Sequence, residues 1–137
     1  PMAISYEYDP CDVHKALELA TIADEGTYTK PDGEDLANLV RGLGGFKGRV
    51  ALKIGKPLTS DFLSADDVAR EIDRQIKENL VLFPINHWAL SQLEGDKKPI
   101  DDHFSGYFSE RLAVCPEKAR PYFLRMYANP VRNKAQV

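Results

Sequence analysis

Only two stretches of this chain alternate as β-strands do. From Met2 to Tyr8 the side chains of Met2, Ile4, Tyr6 and Tyr8 fall on one face and those of Ala3, Ser5 and Glu7 on the other, before Asp9-Pro10 ends the pattern. From Gly48 to Gly55 the residues Val50, Leu52 and Ile54 share a face, and Gly55 and Pro57 close the segment. Two strands alone do not make a stable sheet in water. They must either pair with each other under a helical cover or belong to a sheet with further strands. The fold class expected is therefore α/β, rich in helix, with two strands, about six helices and an incomplete sheet. Residues 1–137 form a single segment, strand-helix-helix-strand over 1–58 and helical over 59–137.

The helices follow from apolar spacing and end signals. Asp12 is placed to cap a helix over about 13–24, with Val13, Leu17 and Ala20 or Ala16, Leu19 and Ala23 as its apolar stripe and Gly26 just beyond. Leu36, Leu39, Val40 and Leu43 predict a short helix over 34–43, closed by Gly42, Gly44 and Gly45. Ser64 and Asp67 form a capping-box pattern ahead of Val68, Ile72, Ile76 and Leu80, which recur every four residues. Phe83-Pro84-Ile85 predicts a break, with Asn86 capping a helix over about 87–94. Further helices are expected over 101–114 and 116–128, the last opened by Pro116 and stopped by Asn129-Pro130.

A length of 137 residues suits one domain, and 43% hydrophobic with 28% charged residues is ordinary globular composition, which excludes disorder and fibrous repeats. No apolar run is long enough to span a bilayer as a helix, and no charged-then-apolar leader opens the sequence. Cys11 and Cys115 are too few for a disulfide scaffold, which favours a reducing compartment but leaves a single long-range bridge open. A strand at residue 2 with no lead-in is expected of a piece of a longer chain, more than of a protein starting at Met2. The net charge of −3 is unevenly spread: −5 over residues 1–47, −2 over 48–116 and +4 over 117–137. Lys118, Arg120, Arg125, Arg132 and Lys134 can meet an anionic lipid or a phosphate at about 1 kcal/mol per cation. The commoner reading is a solvated helix end. Without interleaved aromatics these five are a poor match to nucleic acid.

Tests for chemistry within the chain find little. Cys11 and His14 are spaced for a thiol–imidazole pair, and with Asp9 and Asp12 nearby for a metal cluster, but no second ligand pair follows and the spacing alone is weak. Asp101-Asp102-His103 fits a helix start, where negative charge suits the macrodipole, better than a ligand triplet. Gly42-Leu43-Gly44-Gly45 lacks the Lys-Ser or Lys-Thr of a phosphate-binding loop and reads as a turn from helix to strand. Trp88, beside His87, reads as core.

Several stretches, in order, resemble the C-terminal half of the glycerol-phosphate and lysophosphatidate acyltransferase family. Pro1 through Pro10 is similar to that family's fourth block, a proline entering a strand. Gly48-Arg49-Val50 through Ile54-Gly55-Lys56-Pro57-Leu58 resembles a later strand with its Gly-x-Pro ending. Asp67-Val68-Ala69 with Ile72-Asp73-Arg74-Gln75-Ile76 resembles the following amphipathic helix. Leu82 through Leu90 and Tyr127-Ala128-Asn129-Pro130-Val131 are similar to segments of a bacterial branch. The family's His-x-x-x-x-Asp block is absent, because Leu19, Gln92 and Phe108 stand five positions after the three histidines. Its Phe-Pro-Glu-Gly-Thr-Arg block is absent too, since Phe83-Pro84 continues as Ile85-Asn86.

The resemblance implies acyl transfer from acyl-coenzyme A or acyl-carrier protein to glycerol phosphate or a lysophospholipid, with no metal and no cofactor besides the acyl donor. It implies no catalytic residue in this chain, which alone would be inactive. It carries over Pro1 as a substrate-binding residue, with Ser5, Tyr6 and Glu7 as neighbours, and implies a cytoplasmic protein peripheral on the inner membrane face. The rival reading is a self-contained, non-enzymatic helical interaction or regulatory module, whose strands pair internally and which stays monomeric. A severed sheet instead predicts a bare edge beside residues 2–8, an apolar patch and self-association.

Overall fold

The computed structural model describes residues 1–59, 62–96, 99 and 102–135, with backbone alone for 102–105. Asp101 lies outside them, and so do the side chains of Asp102 and His103, on which the helix-start reading of that triplet rests. Strands β1 (Met2–Tyr6) and β2 (Val50–Ile54) pair with each other, antiparallel, with Ile4 opposite Leu52. Among the described residues there are six α-helices, α1 (Asp12–Glu25), α2 (Glu34–Gly44), α3 (Ala65–Asn79), α4 (Pro84–Leu93), α5 (Asp102–Val114) and α6 (Arg120–Lys134), with a 3₁₀ turn at Glu117–Ala119. The architecture is α-rich α/β, as the two alternating segments predict.

The core lies among α1, α4, α5 and α6, on one side of the sheet. Phe108 is fully buried and touches Trp88, Phe123 and Tyr127 with ring centroids 5.1–5.3 Å apart, two of the three edge to face. Such geometry adds about 0.5–1.5 kcal/mol per pair beyond area burial. On α1 the inward face is Asp12, Ala16 and Ala20, small side chains that let α6 approach closely. Val13 packs on the core from its flank, and Leu19 and Ala23 face solvent.

The sheet inverts the usual arrangement. Ala3, Ser5 and Glu7 face the helices, while Met2, Ile4 and Tyr6 are about half exposed or more. Their partners Ile54, Leu52 and Val50 are exposed as well, so the apolar face of the ribbon is bare. Helix α2 carries a clean stripe of Leu36, Leu39, Val40 and Leu43, and it buries no residue.

Turns and caps follow local chemistry with three departures. Ser64 caps α3 as expected, its Oγ accepting from the Asp67 amide at 3.2 Å. Gly26 closes α1 in the left-handed region at φ 78°, donating to the Ile22 carbonyl. Gly48, at φ 62°, is favoured on two counts, because another residue would be strained there and its Cβ would come 2.7 Å from both Glu7 Oε2 and the Tyr8 ring. The first departure is Asp12, which does not cap α1. It stands at the first position of α1, after Cys11, and its Oδ1 accepts from the Val13 amide at 2.7 Å while the carboxylate turns inward; Asp9 shapes the turn before it, accepting from the Cys11 amide through Oδ1 at 2.8 Å. The second is α4, which starts at Pro84, where a proline costs no hydrogen bond. Asn86 then sits in its first turn, and its Oδ1 accepts from the Phe83 amide at 2.7 Å. The third is α6, which runs through Asn129-Pro130 to Lys134. Pro130 removes a single helical bond, while Phe123, Tyr127 and Ala128 hold the helix in the core.

Candidate ligand cleft

Where β1 ends and α1 begins, the chain turns sharply under the C-terminal end of α6. Asp12, wholly buried, accepts from Arg111 Nε at 3.0 Å and from a second Arg111 nitrogen, and through Oδ2 from the Tyr127 hydroxyl at 2.9 Å. That hydroxyl in turn accepts from the Asp9 amide at 3.1 Å. Burial, and then the Asp12 charge, push the Tyr127 hydroxyl far above its ordinary value, so it stays a proton donor. Asn86 Nδ2 donates to the Tyr127 carbonyl at 2.9 Å, which ties α4 into the same corner. Four elements are thus locked at one point.

Beside this corner opens a cleft of about 630 Å³. Its apolar walls come from Pro10, Leu39, Leu43, Met126 and Pro130, with the Tyr6 ring at the sheet side. Helix α2 forms the outer wall, steadied where the Cys11 thiol meets the Asn38 carbonyl at 3.5 Å and where Gly45 packs so closely on Pro10 that a Cβ would come within 2.4 Å. Three lysines from separate segments line the cleft. Lys15 pairs with Asp9 at 2.6 Å and Lys30 with Asp35 at 2.8 Å. Lys47 donates to the Leu43 and Gly45 carbonyls at 3.0 Å, so its charge caps the C-terminus of α2 without a carboxylate beside it in these bonds. Asp9, Glu18 and Asp35 line the cleft as well, so its three ammonium groups are matched in number by three carboxylates, and it offers apolar walls with charges of both signs at its edge.

The four residues singled out as substrate-binding do not converge. Tyr6 alone lines the cleft. Ser5 faces the helices, where its Oγ accepts from the Val81 amide at 2.9 Å. The buried Glu7 carboxylate receives the Arg49 amide at 2.9 Å and two guanidinium nitrogens at 2.8 and 3.1 Å, and this bonding holds its pKa below the ordinary carboxylate value. Pro1 lies at the far end of β1, its carbonyl accepting from the Gly55 amide.

Cys11 is buried and His14 exposed, with no bond between them. Among the described residues no group of three His, Cys, Asp or Glu is placed to hold a metal. Trp88 packs edge-on against Phe108 in the core, as expected. Most of the basic C-terminal side chains have structural duties. Lys134 donates to the Glu78 and Leu80 carbonyls at the end of α3, Lys118 pairs with Asp24, Arg120 donates to the Cys115 carbonyl, and Arg125 lies over the Tyr122 ring. Among the described residues no helix is long and apolar enough to cross a membrane. Sequence reasoning missed Lys15, Lys30, Lys47 and Leu39 as a set, because they meet only when α2 folds back beside α1. Tyr127 was marked only by its place in a resembling segment.

No family model matches this chain, no curated protein matches it, and no solved structure matches it.

Proposed function

We propose that this chain is the acyl-donor side of a phospholipid-synthesis acyltransferase, moving an acyl group from acyl-coenzyme A or acyl-carrier protein to glycerol phosphate or a lysophospholipid. The observation that carries the reading is the cleft. It adjoins the end of the block running from Pro1 to Pro10 and its walls are apolar, which fits a fatty chain; of its three lysines, Lys15 and Lys30 pair with Asp9 and Asp35, and Lys47, bonded to carbonyls, is the cation offered to an anionic head. The ordered resemblance of four further segments to that family supports the same conclusion.

In the reaction the acceptor hydroxyl attacks the thioester carbonyl, the carbon–sulfur bond breaks, an ester forms and the hydroxyl proton ends on the departing thiol. A His-x-x-x-x-Asp pair supplies the general base and its orienting carboxylate. No residue of this chain takes those roles, so the catalytic pair comes from polypeptide outside this sequence, and the chain alone turns nothing over. The protein works at the cytoplasmic membrane face without a cofactor of its own.

The test is acyl transfer by the natural protein that contains these residues, with a long-chain acyl-coenzyme A and either glycerol phosphate or a lysophosphatidate. Release of free thiol matched by acylated lipid is expected. Thiol release without acylated lipid, or no turnover with either acceptor and either donor, contradicts the proposal.

A second reading, a non-enzymatic interaction module, is favoured by one observation: β1 and β2 pair with each other rather than standing as isolated strands.

A further inference from the structure

Helix α2 contains a glycine that its own structure does not require. Gly42 lies within the helix without a positive φ, and a Cβ built on it would meet no atom within 4 Å. Neither a special backbone conformation nor a close neighbour therefore calls for glycine there. Glycine inside a helix is nonetheless destabilising, because it gives up more backbone freedom on folding than any other residue. Gly45, three residues on, is the opposite case, since a Cβ on it would come 2.4 Å from the Pro10 side chain.

Gly42 faces the cleft. At about 100° per residue, a side chain at position 42 would leave α2 within about 20° of the direction of Asp35 and between the directions of Asn38 and Leu39. Those three residues and Gly42 all line the cleft. Gly42 is thus the middle of the wall that α2 presents, and a side chain on it would enter the space that Pro10, Met126 and Pro130 border from other elements. That space is not slack between loose parts. Helix α2 is held beside it by the packing of Gly45 on Pro10 and by the Cys11 thiol on the Asn38 carbonyl. Gly44 is equally open, but it points to the opposite side of the helix and does not line the cleft.

We propose that Gly42 is a specificity-determining residue of the cleft: its missing side chain leaves the width in which one unbranched acyl chain lies along α2 beside Leu39. The inference rests on the reading of the cleft as an acyl-donor site. A cavity of about 630 Å³ is of the size that takes a single small ligand. A polymethylene chain is slim and apolar, and against Leu39 and Met126 it loses contact with water along its length. A side chain at position 42 claims the same volume, and close packing does not admit both. The discrimination is steric, and it acts on the chain and not on the head, for which Lys47 is the cation.

Calorimetric titration of this protein with hexadecanoyl- and butanoyl-coenzyme A, each below its micelle concentration, tests this, because the two ligands share a head and differ in chain alone. The wild type is expected to prefer the longer chain. Gly42→Leu is expected to reduce that preference by at least about tenfold, Gly42→Ala by less, and Gly44→Leu not at all. Both Gly42 variants are expected to melt at or above the wild-type temperature, since alanine and leucine are better helix formers than glycine. A lower melting temperature in Gly42→Ala shows that the glycine serves the fold, and overturns the inference. An unchanged preference in Gly42→Leu, or an equal loss for both ligands, overturns it too, while the wild-type preference leaves the acyl-donor reading standing. A wild type that binds neither ligand, or both alike, removes that reading and the inference together.

Discussion

At the scale of single residues the decisive group is Asp12. Its position after Pro10-Cys11 and before a helical pattern reads as a cap, yet the structure spends its charge on Arg111 and Tyr127, about a hundred residues away. No local signal announces such a pair, because both partners sit on helices whose own patterns are satisfied without it. Removing one member of a buried, hydrogen-bonded pair strands the other. Asp12→Asn is therefore expected to cost about 3–5 kcal/mol in urea unfolding, and Tyr127→Phe about 1–2 kcal/mol. A loss of a few tenths for Asp12→Asn would show that the corner does not hold the fold.

Glu7 offers a titration with a definite sign. Arg49 lowers its folded pKa below the ordinary 4.5. A carboxylate depressed in the folded state contributes stability that is full above its unfolded pKa and is lost as pH falls through the folded value. Thermal unfolding of the wild type should therefore fall from about pH 4.5 downward, and Glu7→Gln should be less stable at neutral pH and flatter across that acid range. Arg49 is largely solvent-exposed, so screening keeps the effect smaller than that of the Asp12 corner. Parallel acid limbs in the two proteins would contradict the assignment.

At the scale of elements, the sequence is legible wherever one helix or strand signals its own ends. Ser64 and Asp67 mark the start of α3, Gly26 marks the end of α1, and the two alternating runs mark both strands. It is illegible where packing outbids a local signal. Asn129-Pro130 is a stop in isolation, but Phe123, Tyr127 and Ala128 are anchored on α1 and α4, and the helix continues at the loss of one bond. Pro130→Ala is accordingly expected to stabilise the protein, by up to about 3 kcal/mol, as a rise in melting temperature; a fall would mean that the ring itself is needed against the cleft. Alternation reveals that Ile4 and Leu52 share faces with their neighbours, but it does not say which face meets the core. Convention puts the apolar side inward. Here the side bearing Ser5 and Glu7 is inward because Val81 and Arg49 supply their hydrogen bonds. Tyr6, alone among the four residues marked in the sequence, lies in the cleft. The rest of that site is assembled by the return of α2, which leaves no local pattern.

At the scale of the whole molecule, the helices make one packed side and the ribbon leaves one apolar side, with the cleft at their junction through Tyr6. A chain built this way leaves an apolar face of the ribbon exposed on one side and a cleft open at its corner. Both α2 and the sheet carry apolar residues whose value appears only when something covers them.

The most direct measurement is calorimetric titration of this chain with a long-chain acyl-coenzyme A below its micelle concentration, beside coenzyme A alone. Saturable binding is expected for the acylated ligand and much weaker binding for coenzyme A, since each buried methylene adds about 0.8 kcal/mol. Leu39→Asp, at an exposed wall position, should weaken the acylated ligand by at least about tenfold. Absence of saturable binding, or equal affinity in Leu39→Asp, would contradict the proposal that this cleft holds the acyl donor.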